Sequence, residues 1–214
     1  MSTASPKTMK AAISPVYGSS DKIEIVEKLI PDCGRNQVLV KNTHAALTTA
    51  DAMMRAGQPK FARLFLGTLK PKNPNLGTGF SGRIVAVGES VSKFSIGDLV
   101  FGETGLDLGA NAEYLTIDEN AVVIQKPDFI DEAHAACICD GPLTTYNFLV
   151  KIAQIKKGDR VLINGACGAL GSFAIDLALA KGAKVTATAS QKNHEFLMVA
   201  GRAPVIPQLP LGVP

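Results

Sequence analysis

Between residues 9 and 125, apolar positions gather in short bursts that are cut off by glycine, proline and asparagine. The bursts fall at residues 9–14, 22–28, 37–47, 83–87, 99–101, 112–117 and 121–125. Alternation with a period of two marks residues 22–28 as a half-buried strand, residues 83–87 are β-branched and apolar, and seven or so short strands separated by glycine turns predict a partly open all-β barrel. Two short helices are expected inside this run, at residues 51–56 and 61–66, joined by Gly57, Gln58 and Pro59. A proline loop covers residues 71–76. From Asp131 the period becomes helical, first over residues 132–139 and then over 143–153, with Pro142 at a first helical turn. A domain boundary is therefore expected near residues 126–131, after a polar leader at 1–8 and a first domain at 9–130.

A different pattern follows. The apolar run Val161, Leu162, Ile163 is broken by Asn164 and Gly165. After Gly168, Leu170, Ala174, Leu177 and Ala178 recur at helical spacing as far as Lys181 and Gly182. A second buried strand is expected at residues 184–188. Strand, glycine turn, helix and strand make a β-α-β unit, whose right-handed crossover sets the turn at the carboxyl edge of a parallel sheet. The fold class is thus α/β, a barrel followed by a partial nucleotide-binding domain over residues 131–201. A helix is expected at 193–200, capped by Gly201. The tail at 202–214, with four prolines between residues 203 and 214, fits neither a central strand nor a helix. That leaves a two-stranded sheet whose bare edge invites another chain, such as a second copy in a homodimer.

The turn carries candidate chemistry. A dinucleotide diphosphate needs bare backbone amides at the positive end of a helix, where a Cβ would intrude. Gly165, Ala166, Gly168, Ala169 and Leu170 are the candidate cradle, and Gly171 lets the helix lie close to its strand. An ordinary structural turn would also explain these glycines. At the tip of the second strand, where an NAD site carries a carboxylate, the chain has Ser190, Gln191, Lys192 and Asn193. Ser190 and Lys192 suit a 2′-phosphate, so NADPH is favoured over NADH.

Composition narrows the classes. The 22 basic and 19 acidic residues of the 214 are interspersed, giving a net charge of +3, so neither a nucleic-acid nor a membrane partner is expected. No apolar span approaches membrane length and MSTASPKTMK has no hydrophobic signal core, which leads to a cytoplasmic expectation. Cys33, Cys137, Cys139 and Cys167 show no disulfide-scaffold spacing. His134, Cys137 and Cys139 sit in an apolar helical stretch, where small buried side chains explain them better than a metal does.

The strand MKAAI, the phrase QVLVK at 37–41, GTGFSGRIVAVGESVSKFSIGDLVFG at 77–102, GANAEY at 109–114, LTTY at 143–146 and the GACGALG turn together resemble the medium-chain dehydrogenase/reductase superfamily. Within it they most resemble the zinc-free quinone oxidoreductase branch. The resemblance implies a GroES-like barrel, a Rossmann domain and NADPH in the cleft between them. It also implies hydride transfer to a small-molecule quinone or α,β-unsaturated carbonyl without metal. Where zinc-dependent relatives keep a cysteine, and later a histidine and glutamate, this chain has Thr48, Thr78 and Gly79. By the same resemblance Thr144 contacts the nicotinamide carboxamide, and Thr48 and Asp51 lie near the catalytic face. Tyr146 and Tyr17 are candidate proton donors. The alternative is a truncated, non-catalytic relative that binds nucleotide or a partner chain.

Overall fold

The computed structural model describes residues 7–193, 195 and 205–207. The expected leader and the helix at 193–200 lie mostly outside them. The chain divides into two units, one ending at Cys139 and the other starting at Asp140.

In the first unit β1 (Thr8–Ile13) and β2 (Glu24–Leu29) form an antiparallel ribbon. Five more strands make an antiparallel sheet: β3 (Gln37–Ala45), β4 (Gly79–Val87), β5 (Leu99–Glu103), β6 (Tyr114–Asp118) and β7 (Val122–Gln125), in the order β6-β3-β4-β5-β7. Alternation does the sorting. Val38 and Val40 point inward to meet Phe80, Ile84 and Val100, and all five are fully buried. The β3–β4 register slips between Leu39 and Val40 and again between Asn42 and His44. Such irregularities bend and twist a sheet, which lets this one curl around its core.

Two short helices, α1 (Thr49–Ala56) and α2 (Arg63–Leu66), leave the sheet between β3 and β4. The helix α3 (Glu132–Cys137) packs on β3, β4 and β5. Its buried face is small, with Ala135 and Ala136, and Ser81 Oγ donates to Glu132 O at 2.6 Å. This helix therefore belongs with the barrel, and the division between units falls beyond the 126–131 segment.

The second unit contains α4 (Gly141–Tyr146), a wide π-helical turn at Asn147–Ile152, β8 (Arg160–Ile163), α5 (Ala169–Ala180), β9 (Lys184–Ala189) and β10 (Val205–Pro207). Its strands are parallel, in the order β10-β9-β8. Among the described residues the sheet thus has three strands rather than two. The proline-rich tail supplies an edge strand, the one place in a sheet where a proline such as Pro207 is tolerated. Ala174 and Ala178 of α5 pack with Ile163, Val185 and Ala187, and these small side chains hold the helix close to the strands. Among the described residues no helix is long and apolar enough to cross a membrane.

Ile84 and Ile96 test the placement of the first core, being 0% and 66% exposed. In urea unfolding, Ile84→Ala is expected to cost about 2–5 kcal/mol and Ile96→Ala less than about 0.5 kcal/mol. Equal losses would contradict this core.

Candidate active site

The turn after β8 is built almost entirely from backbone. Gly165 takes a left-handed φ of 70°, which returns the chain toward the sheet. The Ala166 amide donates to Thr188 O at 3.0 Å, and the Gly168 amide to Gly165 O at 3.0 Å. From β9, Thr188 Oγ1 donates to Asn164 Oδ1 and accepts from the Gly165 amide at 3.4 Å. Thr188 is buried and pins the turn to the second strand. No motif marks it, because a threonine in a strand looks like any β-former.

Gly168 is the N-cap of α5 and has no side chain to fold over the first-turn amides. Those amides stand at the positive end of a twelve-residue helix, the arrangement that binds anions. The two key glycines differ in why they are glycine. A Cβ on Gly171 would lie 2.5 Å from Gly165 O and 2.7 Å from Ala166 Cα, so the chain's own packing forbids it. On Gly168 a Cβ would meet only Gly165 O, at 3.4 Å, an ordinary contact. Internal packing therefore does not explain Gly168. The residues fit a dinucleotide diphosphate.

Of the expected cradle, Gly165, Gly168, Ala169 and Leu170 are exposed. Ala166 is fully buried with its amide already bonded, so it shapes the turn from below. Ser190 and Lys192 are exposed at the end of β9, Lys192 in a single 3₁₀ turn over Gln191–Asn193. The structure also brings α4 to the turn. Thr145 Oγ1 donates to Leu170 O at 3.1 Å, and a Cβ on Gly141 would lie 3.1 Å from Ala169 O. This places half-buried Thr144 on a helix fastened to the cradle. Tyr146 ends the same helix, partly exposed, with Lys151 Nζ 6.0 Å from its ring centroid.

Thr48 and Asp51 belong to the first unit, where they form a capping box. The Asp51 amide donates to Thr48 Oγ1 at 3.2 Å, while the Thr48 amide and hydroxyl donate to Asp51 Oδ2 at 2.8 and 2.9 Å. Asp51 Oδ1 is buried with no hydrogen-bond partner. Asp51 also lines a mainly apolar cavity of about 210 Å³ with Tyr17, Met54, Phe65, Leu66 and Leu106. Tyr17 already uses its hydroxyl, donating to Gly67 O at 2.8 Å. Among the described residues no three His, Cys, Asp or Glu side chains converge. Cys139 is buried, and that burial pushes its thiol up to about 11, while Cys137 on the same segment is exposed.

The first unit is a curled antiparallel sheet and the second a β-α-β unit with a bare glycine turn. Residues 34–128 match the alcohol dehydrogenase GroES-like domain. The chain is 32% identical over 200 residues to a chloroplastic quinone-oxidoreductase homolog of Spinacia oleracea, covering 88% of this chain and 57% of that protein. It is 32% identical over 206 residues to a chloroplastic NADPH-dependent alkenal/one oxidoreductase of Arabidopsis thaliana, covering 92% and 51%. The solved quinone oxidoreductase of Coxiella burnetii superimposes with a TM-score of 0.83 at 33% identity, over 94% of this chain and 62% of that one. The chain belongs to the medium-chain dehydrogenase/reductase superfamily, among its quinone oxidoreductase-like members. It spans little more than half the length of these curated relatives.

The contrast between the glycines is testable by thermal melting. Gly171→Ala is expected to lose about 1–3 kcal/mol through overpacking. Gly168→Ala should lose less than about 1 kcal/mol, the cost of a poorer N-cap. A reversed order would remove the case for a cradle kept open for a ligand.

Proposed function

We propose that the chain is the part of an NADPH-dependent oxidoreductase that transfers hydride to a quinone or an α,β-unsaturated carbonyl. The observation that carries this reading is the glycine turn, uncapped and open at Gly168, beside Ser190 and Lys192. First-turn amides of α5 bind the diphosphate. Lys192 pairs with the 2′-phosphate while Ser190 donates to it, a charge-assisted arrangement that a carboxylate at this strand tip would oppose. Thr144 orients the carboxamide of the nicotinamide ring, and reduced nicotinamide supplies the hydride when bound.

The acceptor needs no Lewis acid, because a quinone or enone is already polarised toward hydride addition. The Thr48, Thr78 and Gly79 positions, which offer no thiolate, imidazole or carboxylate, are consistent with that chemistry. The apolar cavity beside Asp51 suits the acceptor and keeps water from it, with Thr48 fixing the Asp51 carboxylate in place. Tyr146 is the candidate proton donor, since the Tyr17 hydroxyl is already engaged with Gly67 O.

The test is a fluorescence titration of the purified chain with NADPH and NADH, followed by addition of phenanthrenequinone. NADPH should bind about tenfold more tightly than NADH, the worth of one charge-assisted pair, and Lys192→Glu should erase that preference. Gly168→Trp should abolish binding of both nucleotides. Binding without NADPH oxidation would leave a non-catalytic nucleotide-binding relative, and absence of binding would overturn the proposal.

A further inference from the structure

The segment between α1 and β4 is pinned firmly on one side and bare on the other. Arg63 Nε and Nη2 donate to Gly57 O and Ala56 O at 3.0 and 3.2 Å, and its guanidinium lies 4.5 Å from the Tyr17 ring centroid. Tyr17 holds Gly67 O, and the Lys72 amide donates to Leu66 O at 2.8 Å. Gly67 has a φ of 123°, with Lys70 O where a Cβ would stand. These ties fix a tight loop. Even so, its large apolar side chains face solvent: Phe61 is 69% exposed, Leu64 70%, Phe65 76% and Leu69 92%. Four such groups within nine residues, on a locally braced turn, form a patch of the kind that marks an interaction surface.

Charge decides what fits the patch. From residue 52 to residue 88 the chain has six basic residues and no acidic one. Arg63 is spent on the internal ties, but Lys60, Lys70 and Lys72 are exposed and take part in no ion pair among the described residues. Aromatic and leucine side chains interleaved with free lysines suit an anionic lipid surface, where rings enter the interface and ammonium groups meet headgroups. A protein partner of the same area would need matching carboxylates as well as a pocket for each ring. The whole-chain balance of +3 hides this local asymmetry, which is why composition pointed away from any membrane.

We propose that the braced segment at residues 59–72 docks the GroES-like unit on anionic lipid. Phe65 and Lys72 line both this surface and the cavity beside Asp51, so the cavity opens next to the docked face. An acceptor that partitions into a bilayer then has a short way to the cavity. That last step rests on the reductase reading, whereas the docking itself does not.

The test is co-sedimentation of the chain, without nucleotide, with phosphatidylcholine vesicles that contain or lack phosphatidylserine. Binding is expected only with phosphatidylserine, and added salt should weaken it. Exchanging both Phe61 and Phe65 for Ser should weaken it by about tenfold or more, given the apolar area each ring buries. Replacing Lys60, Lys70 and Lys72 by Glu should abolish it, and thermal melting would show that these exposed changes leave the fold intact. Equal binding to both vesicle types, or variants that bind like the parent, would overturn the proposal. So would a dimer in size-exclusion chromatography that the phenylalanine variants dissolve, because a second copy would then own the patch. Vesicle binding by a chain that fails to bind NADPH would sink the reductase reading alone.

Discussion

The contact between Gly171 and the Gly165–Ala166 turn sets the position of everything around it in the second unit. With hydrogen in place of a Cβ at residue 171, α5 begins hard against the turn, closer than any side chain would permit. That fixes where the helix starts and therefore where its unbonded amides emerge. The turn in turn is tied to β9 through Thr188, and α4 is drawn to the same point through Gly141 and Thr145. Three elements thus converge on a cluster of backbone donors that no side chain of the N-cap covers. Electrostatics follows from packing: the helix end is positive because it is left bare, and it is bare because glycine stands at 168.

The first unit uses the same economy with different means. A capping box holds the start of α1 and engages one oxygen of Asp51, leaving the other buried and unpaired. Tyr17 and Arg63 reach across to brace the loop after α1. Polar side chains that would otherwise be candidates for chemistry, Tyr17 and Oδ2 of Asp51 among them, are committed to holding backbone. The outer rim of the cavity is the same braced loop that exposes phenylalanine and lysine.

The barrel was legible in the sequence because its short apolar bursts are punctuated by glycine turns, and in β3 alternation survives as well, with Val38 and Val40 inward and Lys41 outward. The β-α-β unit was equally legible, since the pattern changes from a short apolar run to helical spacing across two glycines. Less visible was the allegiance of α3. Ala135 and Ala136 would suit any close-packed surface, and it takes the packing against Phe101 and the hydrogen bond from Ser81 to Glu132 to show that this helix lies on the barrel. The third strand was hidden by prolines, which forbid a central strand but permit an edge. Thr145 and Thr188 escaped notice for a different reason. Each acts through long-range hydrogen bonds of its hydroxyl, and neither spacing nor residue type announces such bonds.

The central claim is that the first-turn amides of α5 hold a nucleotide diphosphate. Amide-resolved NMR of the chain during addition of NADPH tests it at the atoms concerned. Saturable shifts at the Ala169, Leu170 and Gly171 amides, larger than those across the barrel strands, are the expected result. If those amides stay unmoved at saturating nucleotide, the turn is only a way of joining a strand to a helix.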